Sequence, residues 1–155
     1  MKYVWLTILL WLCALPATAR QSAPFDPHAV WISPGYAEDT VLRPSPLFRK
    51  IFSCGKAVAS ATLRITAHGL YEATLNDRRV GDAYFTPGWT NYEKRLQYQV
   101  YDLTRQLQRG GNQLVVTLGE GWYRGVFGGW MRRDNYGSDA SLLCQLDITY
   151  ADGST

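Results

Sequence analysis

An all-β fold, an antiparallel sandwich of short strands, is what this sequence predicts, and three observations predict it. From Ala61 onward, short segments alternate apolar and polar residues, as half-buried strands do. Residues that favour turns, such as Asn76-Asp77, Gly110-Gly111-Asn112 and Asp152-Gly153, stand between them. No heptad, internal repeat or low-complexity tract competes with that pattern, and helical periodicity is nearly absent.

The first nineteen residues read as a signal peptide and not as part of the fold. Lys2 gives a positive start, Val4–Leu15 is an apolar run, and Ala17-Thr18-Ala19 supplies the small-x-small site for cleavage after Ala19. The run is far shorter than the ~20 residues of a spanning helix. Bulky Leu12 before Cys13 argues against lipoprotein processing. The expected location is therefore secreted or periplasmic. Residues 20–46 read as a proline-rich lead-in, because Pro24, Pro27, Pro34, Pro44 and Pro46 interrupt any long regular element. Within it Val30-Trp31-Ile32 could form one short strand.

Residues 47–155 carry the sandwich. Phe48–Phe52 opens it, followed by Ala61–Ala67 and Leu70–Leu75. Asn76 and Asp77 both tolerate positive φ, so a tight hairpin into Arg78-Arg79-Val80 is expected. Leu96–Tyr101 alternates clearly. Asp102 and Thr104 suit the cap of one helical turn before Gly110. Gln113–Leu118 and Ser141–Tyr150 are the last strands. The hairpin signal Ala151-Asp152-Gly153 has no return strand behind it, so the chain is expected to be a fragment of a longer one, truncated at the C-terminus.

Charge excludes some functions. The formal net charge is +3, and loss of Lys2 with the leader leaves +2, so neither a nucleic-acid nor a membrane partner is expected. Cys54 and Cys144 remain after cleavage; two buried thiols are as compatible with their apolar surroundings as a disulfide. The acids lie scattered at polar strand positions and in turns, His28 and His68 have no triad-like neighbours in sequence, and no nucleophile, phosphate-loop or zinc motif occurs. No residue stands out as catalytic.

Gly119–Trp130, GEGWYRGVFGGW, is the unusual stretch. Gly119 and Gly121 bend the backbone after a strand, and Trp122 is expected to plug the end of the core. Trp130 sits further into a glycine-rich loop. It is a candidate sugar platform, since an indole can carry the C–H face of a pyranose, or else an anchor tucking the loop onto the sandwich. Asp134, Asn135 and Asp139 follow, hard oxygen donors of the kind calcium takes, or a turn bonding its own backbone.

Taken together, GLYEATLNDRRVGD at 69–82, TPGWTNYEKRLQYQVYDLT at 86–104, GGNQLVVTLGEGWYRG at 110–125 and YGSDASLLCQLDITYADGS at 136–154 resemble the N-terminal domain of bacterial α-L-rhamnosidases, glycoside hydrolase family 78. Asp77 departs from the glycine common in that turn. The resemblance implies a jelly-roll β-sandwich of the galactose-binding-like kind, preceding an (α/α)6 barrel that holds the catalytic acids. It implies a non-catalytic accessory domain whose partners are a rhamnose-containing glycan and the catalytic domain of the same parent chain. Some such sandwiches resemble calcium-dependent rhamnose-binding modules, in which an Asp-Asn pair meets metal and sugar. By context that pair is Asp134-Asn135, making Trp130, Asp134 and Asn135 the sugar-site candidates and Asp134 and Asn135 the calcium candidates. The alternative is a purely structural domain packed on the barrel.

Overall fold

The computed structural model describes residues 24–39, 41–128 and 131–155, so the expected leader and Trp130 lie outside the described residues. Among the described residues seven strands form: β1 (Leu47–Cys54), β2 (Val58–His68), β3 (Leu70–Leu75), β4 (Arg78–Arg79), β5 (Gln99–Asp102), β6 (Gly110–Gly119) and β7 (Ser141–Tyr150). One helical turn, α1 (Gly121–Arg124), follows β6. All strand pairs are antiparallel. They make a four-stranded sheet in the order β1-β6-β3-β4 and a three-stranded sheet in the order β5-β2-β7. The domain is thus β-rich, as the alternation predicts.

The core follows directly from that alternation. Ala61, Leu63, Ile65 and Ala67 of β2 face inward, as do Tyr71, Ala73 and Leu75 of β3 and Leu114, Val116 and Leu118 of β6. Leu63, Ile65 and Leu75 are fully buried, each contributing about 2 kcal/mol of apolar burial. Leu103, in the turn after β5, closes one end. Asp102 caps that turn, its Oδ1 accepting from the Thr104 amide at 2.9 Å, as the sequence suggests. β5 is shorter than expected: residues 96–98 precede the strand. Cys54 and Cys144 are free thiols, and burial pushes the Cys144 thiol up to about 12.

The β3–β4 hairpin turns at Asn76 and Asp77, with φ of 51° and 63°. Left-handed φ at both central residues is what a tight hairpin of this hand demands. Asn76 also ties the turn to β6: its Oδ1 accepts from the Gln113 amide at 2.9 Å and its Nδ2 donates to Asn112 Oδ1 at 2.9 Å.

The lead-in differs from a simple linker. Ile32 and Leu142 exchange two backbone hydrogen bonds of 2.9 Å, so Val30–Ile32 supplies a single bridge to β7 instead of a strand. Asp39 Oδ1 accepts from the amides of Val41 and Leu42, turning the chain. Glu38 and Arg43 then reach the segment after β6. The lead-in is a strap across the domain.

Candidate functional site

The conformation of residues 119–128 decides which side chains reach the surface. β6 buries its even-numbered residues, Leu114, Val116 and Leu118, and a continued strand would bury Trp122 as well. The chain instead enters α1, with Gly121 at φ +53°, where a Cβ would lie 2.6 Å from Leu70 Cγ. Each helical residue turns the side-chain direction by about 100°. Tyr123 and Arg124 therefore point inward, at 7% and 2% exposure, and Trp122 lies half-buried beside the sandwich. The expectation that Trp122 plugs the core is corrected for that reason.

Trp122 belongs to an aromatic shelf. Its ring stacks with Trp89 at 6.1 Å between centroids and 9° between planes. Phe127 meets Trp89 edge-on at 5.0 Å, and Phe85 meets Trp122 edge-on at 6.1 Å. These are the favourable arrangements of aromatic quadrupoles. Trp89 Nε1 donates to the Tyr136 hydroxyl at 3.4 Å, which joins the shelf to residues after the loop. Trp89 is 52% exposed and Phe85 67% exposed, so the shelf is open to solvent at these two rings. The turn beneath it is anchored on β3: Tyr71 N donates to Thr86 O at 2.8 Å and Thr86 Oγ1 donates to Tyr71 O at 2.9 Å.

Below the shelf lies an ionic cluster. The buried Arg124 guanidinium pairs with Glu38, with one bond at 2.8 Å, and donates to Ser138 O at 2.8 Å. Glu120 lies 3.5 Å from Arg43 and 3.3 Å from Arg133. Arg43 grips Asp134 with two parallel bonds, 2.7 and 2.9 Å, the bidentate fit of guanidinium to carboxylate. Those bonds, with the Arg43 charge, hold the Asp134 carboxyl below its ordinary value. The Arg124 bond does the same for Glu38.

The sequence candidates are placed as follows. Asp134 is in the left-handed region, φ 56°, with both carboxylate oxygens facing Arg43. Asn135 Nδ2 reaches Arg132 O at 3.5 Å. Asp139 faces elsewhere, accepting from Ser141 Oγ at 3.0 Å and Tyr123 OH at 3.2 Å and lying 3.1 Å from His68 Nδ1. Among the described residues, no group of three or more His, Cys, Asp or Glu side chains is arranged to hold a metal. As placed, this donor set does not fit a calcium ion, because Asp134 is spent on Arg43 and Asp139 points away.

The Ser141–His68–Asp139 grouping is one that residue spacing hid, since its members are more than seventy residues apart along the chain for two of the three pairs. It lacks the geometry of a nucleophilic triad. Ser141 and Asp139 both address the same ring nitrogen, Nδ1, whereas a triad uses one nitrogen for each partner. Ser141 is also 2% exposed. The His68 ring is held between Trp31, at 4.2 Å, and Tyr123, at 4.5 Å, which makes it packing material for the strap.

The described residues thus form two antiparallel sheets, with exposed aromatic rings and a group of carboxylates paired to arginines. Comparison with known proteins supplies the rest. Residues 56–155 match the family described as the α-L-rhamnosidase N-terminal domain. The chain belongs to that family. It is 48% identical over 100 residues to an α-L-rhamnosidase of Streptomyces avermitilis, covering 64% of this chain and 10% of that protein. An α-L-rhamnosidase of Formosa agariphila is 36% identical over 121 residues, covering 76% of this chain and 13% of that protein. Among solved structures, native α-L-rhamnosidase from Aspergillus terreus superposes with a TM-score of 0.75 at 44% identity, over 81% of this chain and 15% of that one. The Streptomyces avermitilis α-L-rhamnosidase complexed with L-rhamnose gives 0.66 at 46% identity, over 69% and 10%. This chain thus spans a small part of the length of the relatives it matches.

Proposed function

We propose that this chain is a non-catalytic accessory domain of an exported α-L-rhamnosidase, and that it holds rhamnose-containing glycan against the shelf of Trp89, Trp122 and Phe127. The carrying observation is the mutually braced pair of indoles, an exposed Trp89 on a half-buried Trp122. Rings fixed by one another lose little freedom on binding, and an apolar C–H face of rhamnose, with its methyl group, matches such a surface. One solved relative was crystallised with L-rhamnose, which supports the choice of sugar. Trp130 remains a candidate from the sequence. Export rests on the leader ending at Ala19.

Calcium is a separate proposal at Asp134 and Asn135. It requires the Arg43 guanidinium to leave Asp134. A second reading of the whole domain is structural. The strap exposes Val30, Val41 and Leu42, at 71%, 80% and 79%, and these would pack on the catalytic domain of the parent chain.

Calorimetric titration of L-rhamnose into this chain, with calcium and again with chelator, separates the readings. Heat lost in both Trp89→Ala and Trp122→Ala is the expected result. Heat that depends on calcium and vanishes in Asp134→Ala and Asn135→Ala would move the site to the loop. A folded protein that gives no heat in either condition would leave the structural reading.

A further inference from the structure

Phe85 is a large apolar residue that is 67% exposed, so burial does not explain its place. Its backbone adopts φ 57°, a left-handed conformation that side chains of this size rarely take. Residues held that way persist only where the surroundings enforce it, and they gather at binding sites. Here the enforcement is visible: the next residue, Thr86, is fixed to Tyr71 by two hydrogen bonds. The strain turns the Phe85 ring outward, with Trp122 of the shelf 6.1 Å away.

Phe85 also lines a separate cavity of about 270 Å³ on the outer face of the four-stranded sheet. Glu72 and Thr117, cross-strand neighbours in β3 and β6, line it, together with Arg79 and Tyr84. Arg79 is well oriented: its guanidinium lies 4.5 Å from the centre of the Tyr84 ring and Nη2 donates to Ala83 O at 2.7 Å. Arg79 Nε is 3.6 Å from Glu72 Oε1, too long for a direct hydrogen bond, and the Glu72 side chain is 60% exposed. A carboxylate, a guanidinium edge and a hydroxyl beside two aromatic rings form a set that accepts from and donates to sugar hydroxyls while covering a C–H face.

We propose that this cavity is a second sugar subsite, separated from the aromatic shelf by the Phe85 ring, so that the domain recognises an oligosaccharide and not a lone rhamnose. The proposal rests on the glycan-binding reading of the shelf. One sugar unit lies on Trp89 and Trp122, and its neighbour sits across Phe85 with hydroxyls on Glu72 and Arg79. Joining two weak contacts in one ligand makes the second contact intramolecular, which raises affinity well beyond either alone.

The test compares L-rhamnose with rhamnose-terminated disaccharides of 1→2, 1→3, 1→4 and 1→6 linkage, titrated calorimetrically into this chain. At least one disaccharide is expected to bind about 10-fold tighter than the monosaccharide, or better. Glu72→Ala should remove that gain and leave L-rhamnose affinity unchanged. Phe85→Gly should also remove it, yet melt no lower than the parent, because glycine adopts this φ without strain. If L-rhamnose binds but no disaccharide binds tighter, or if Glu72→Ala retains the gain, the second subsite is overturned and the shelf stands. If neither sugar type binds, the glycan reading falls and the subsite with it.

Discussion

Arg124 illustrates how one buried cation organises its surroundings. At 2% exposure it is held by Glu38, Ser138 O and, at 3.9 Å, Glu120. Removing one member of a buried pair leaves the other charge without compensation. Arg124→Ala is therefore expected to cost about 3 kcal/mol, measured as a lower urea midpoint. The same cluster sets a pH dependence. Bonds from Arg124 depress Glu38, and bonds from Arg43 depress Asp134. Burial raises Asp139, but bonds from His68 and Ser141 outweigh it, so its net shift is also downward. Carboxyls depressed on folding add stability above their unfolded values, 4.5 for Glu38 and 3.8 for the aspartates, and that stability is lost as pH falls through the lower folded values. The urea midpoint should hold above about pH 5 and drop below about pH 4, with a shallower drop in the double variant Glu38→Gln, Asp134→Asn. At this scale the sequence offered Asp134 as a sugar or calcium ligand or as a turn residue bonding its own backbone, with no sign of Arg43, ninety-one positions away, because ion pairs between distant segments leave no local pattern.

Elements were the more legible level, and the reason is physical. Strands read well wherever one face is buried, since burial imposes the two-residue alternation: β2, β3, β6 and β7 all lie where that alternation lies. The signal failed at α1, where four residues are too few to show a helical period and Gly119 and Gly121 suggested only a bend. The shelf was missed with it, because Trp89 and Phe85 belong to a turn segment with no periodicity at all. The β3–β4 turn offers a test at this level. Asp77, at φ 63°, sits where glycine would carry no strain, whereas Asn76 has side-chain bonds to keep it. Asp77→Gly is expected to stabilise the domain by about 0.5 kcal/mol, as a small rise in Tm. Asn76→Gly in the same background should cancel the gain.

The whole molecule depends on contacts between its far ends. β1 pairs with β6, β2 with β7, and the strap closes over both through Ile32 on Leu142 and Arg43 on Asp134. Five prolines in the lead-in concealed this: they excluded a regular element correctly, but a segment without regular structure still packs when its side chains have partners. The strap also positions the proposed functions, because the same segment that presents Val41 and Leu42 on its outer side secures the loop after β6 on its inner side.

The strap has a consequence for how the domain comes into being. A polypeptide is synthesised from its N-terminus, so residues 32–43 exist long before the residues that hold them. Ile32 waits for Leu142, and until β7 emerges β2 has only β5 for an edge. Little of this domain can therefore fold in instalments, and its pairing between distant segments belongs to the slow end of folding rates. The nascent chain must be kept from aggregating, with β2 lacking its long partner, until β7 arrives.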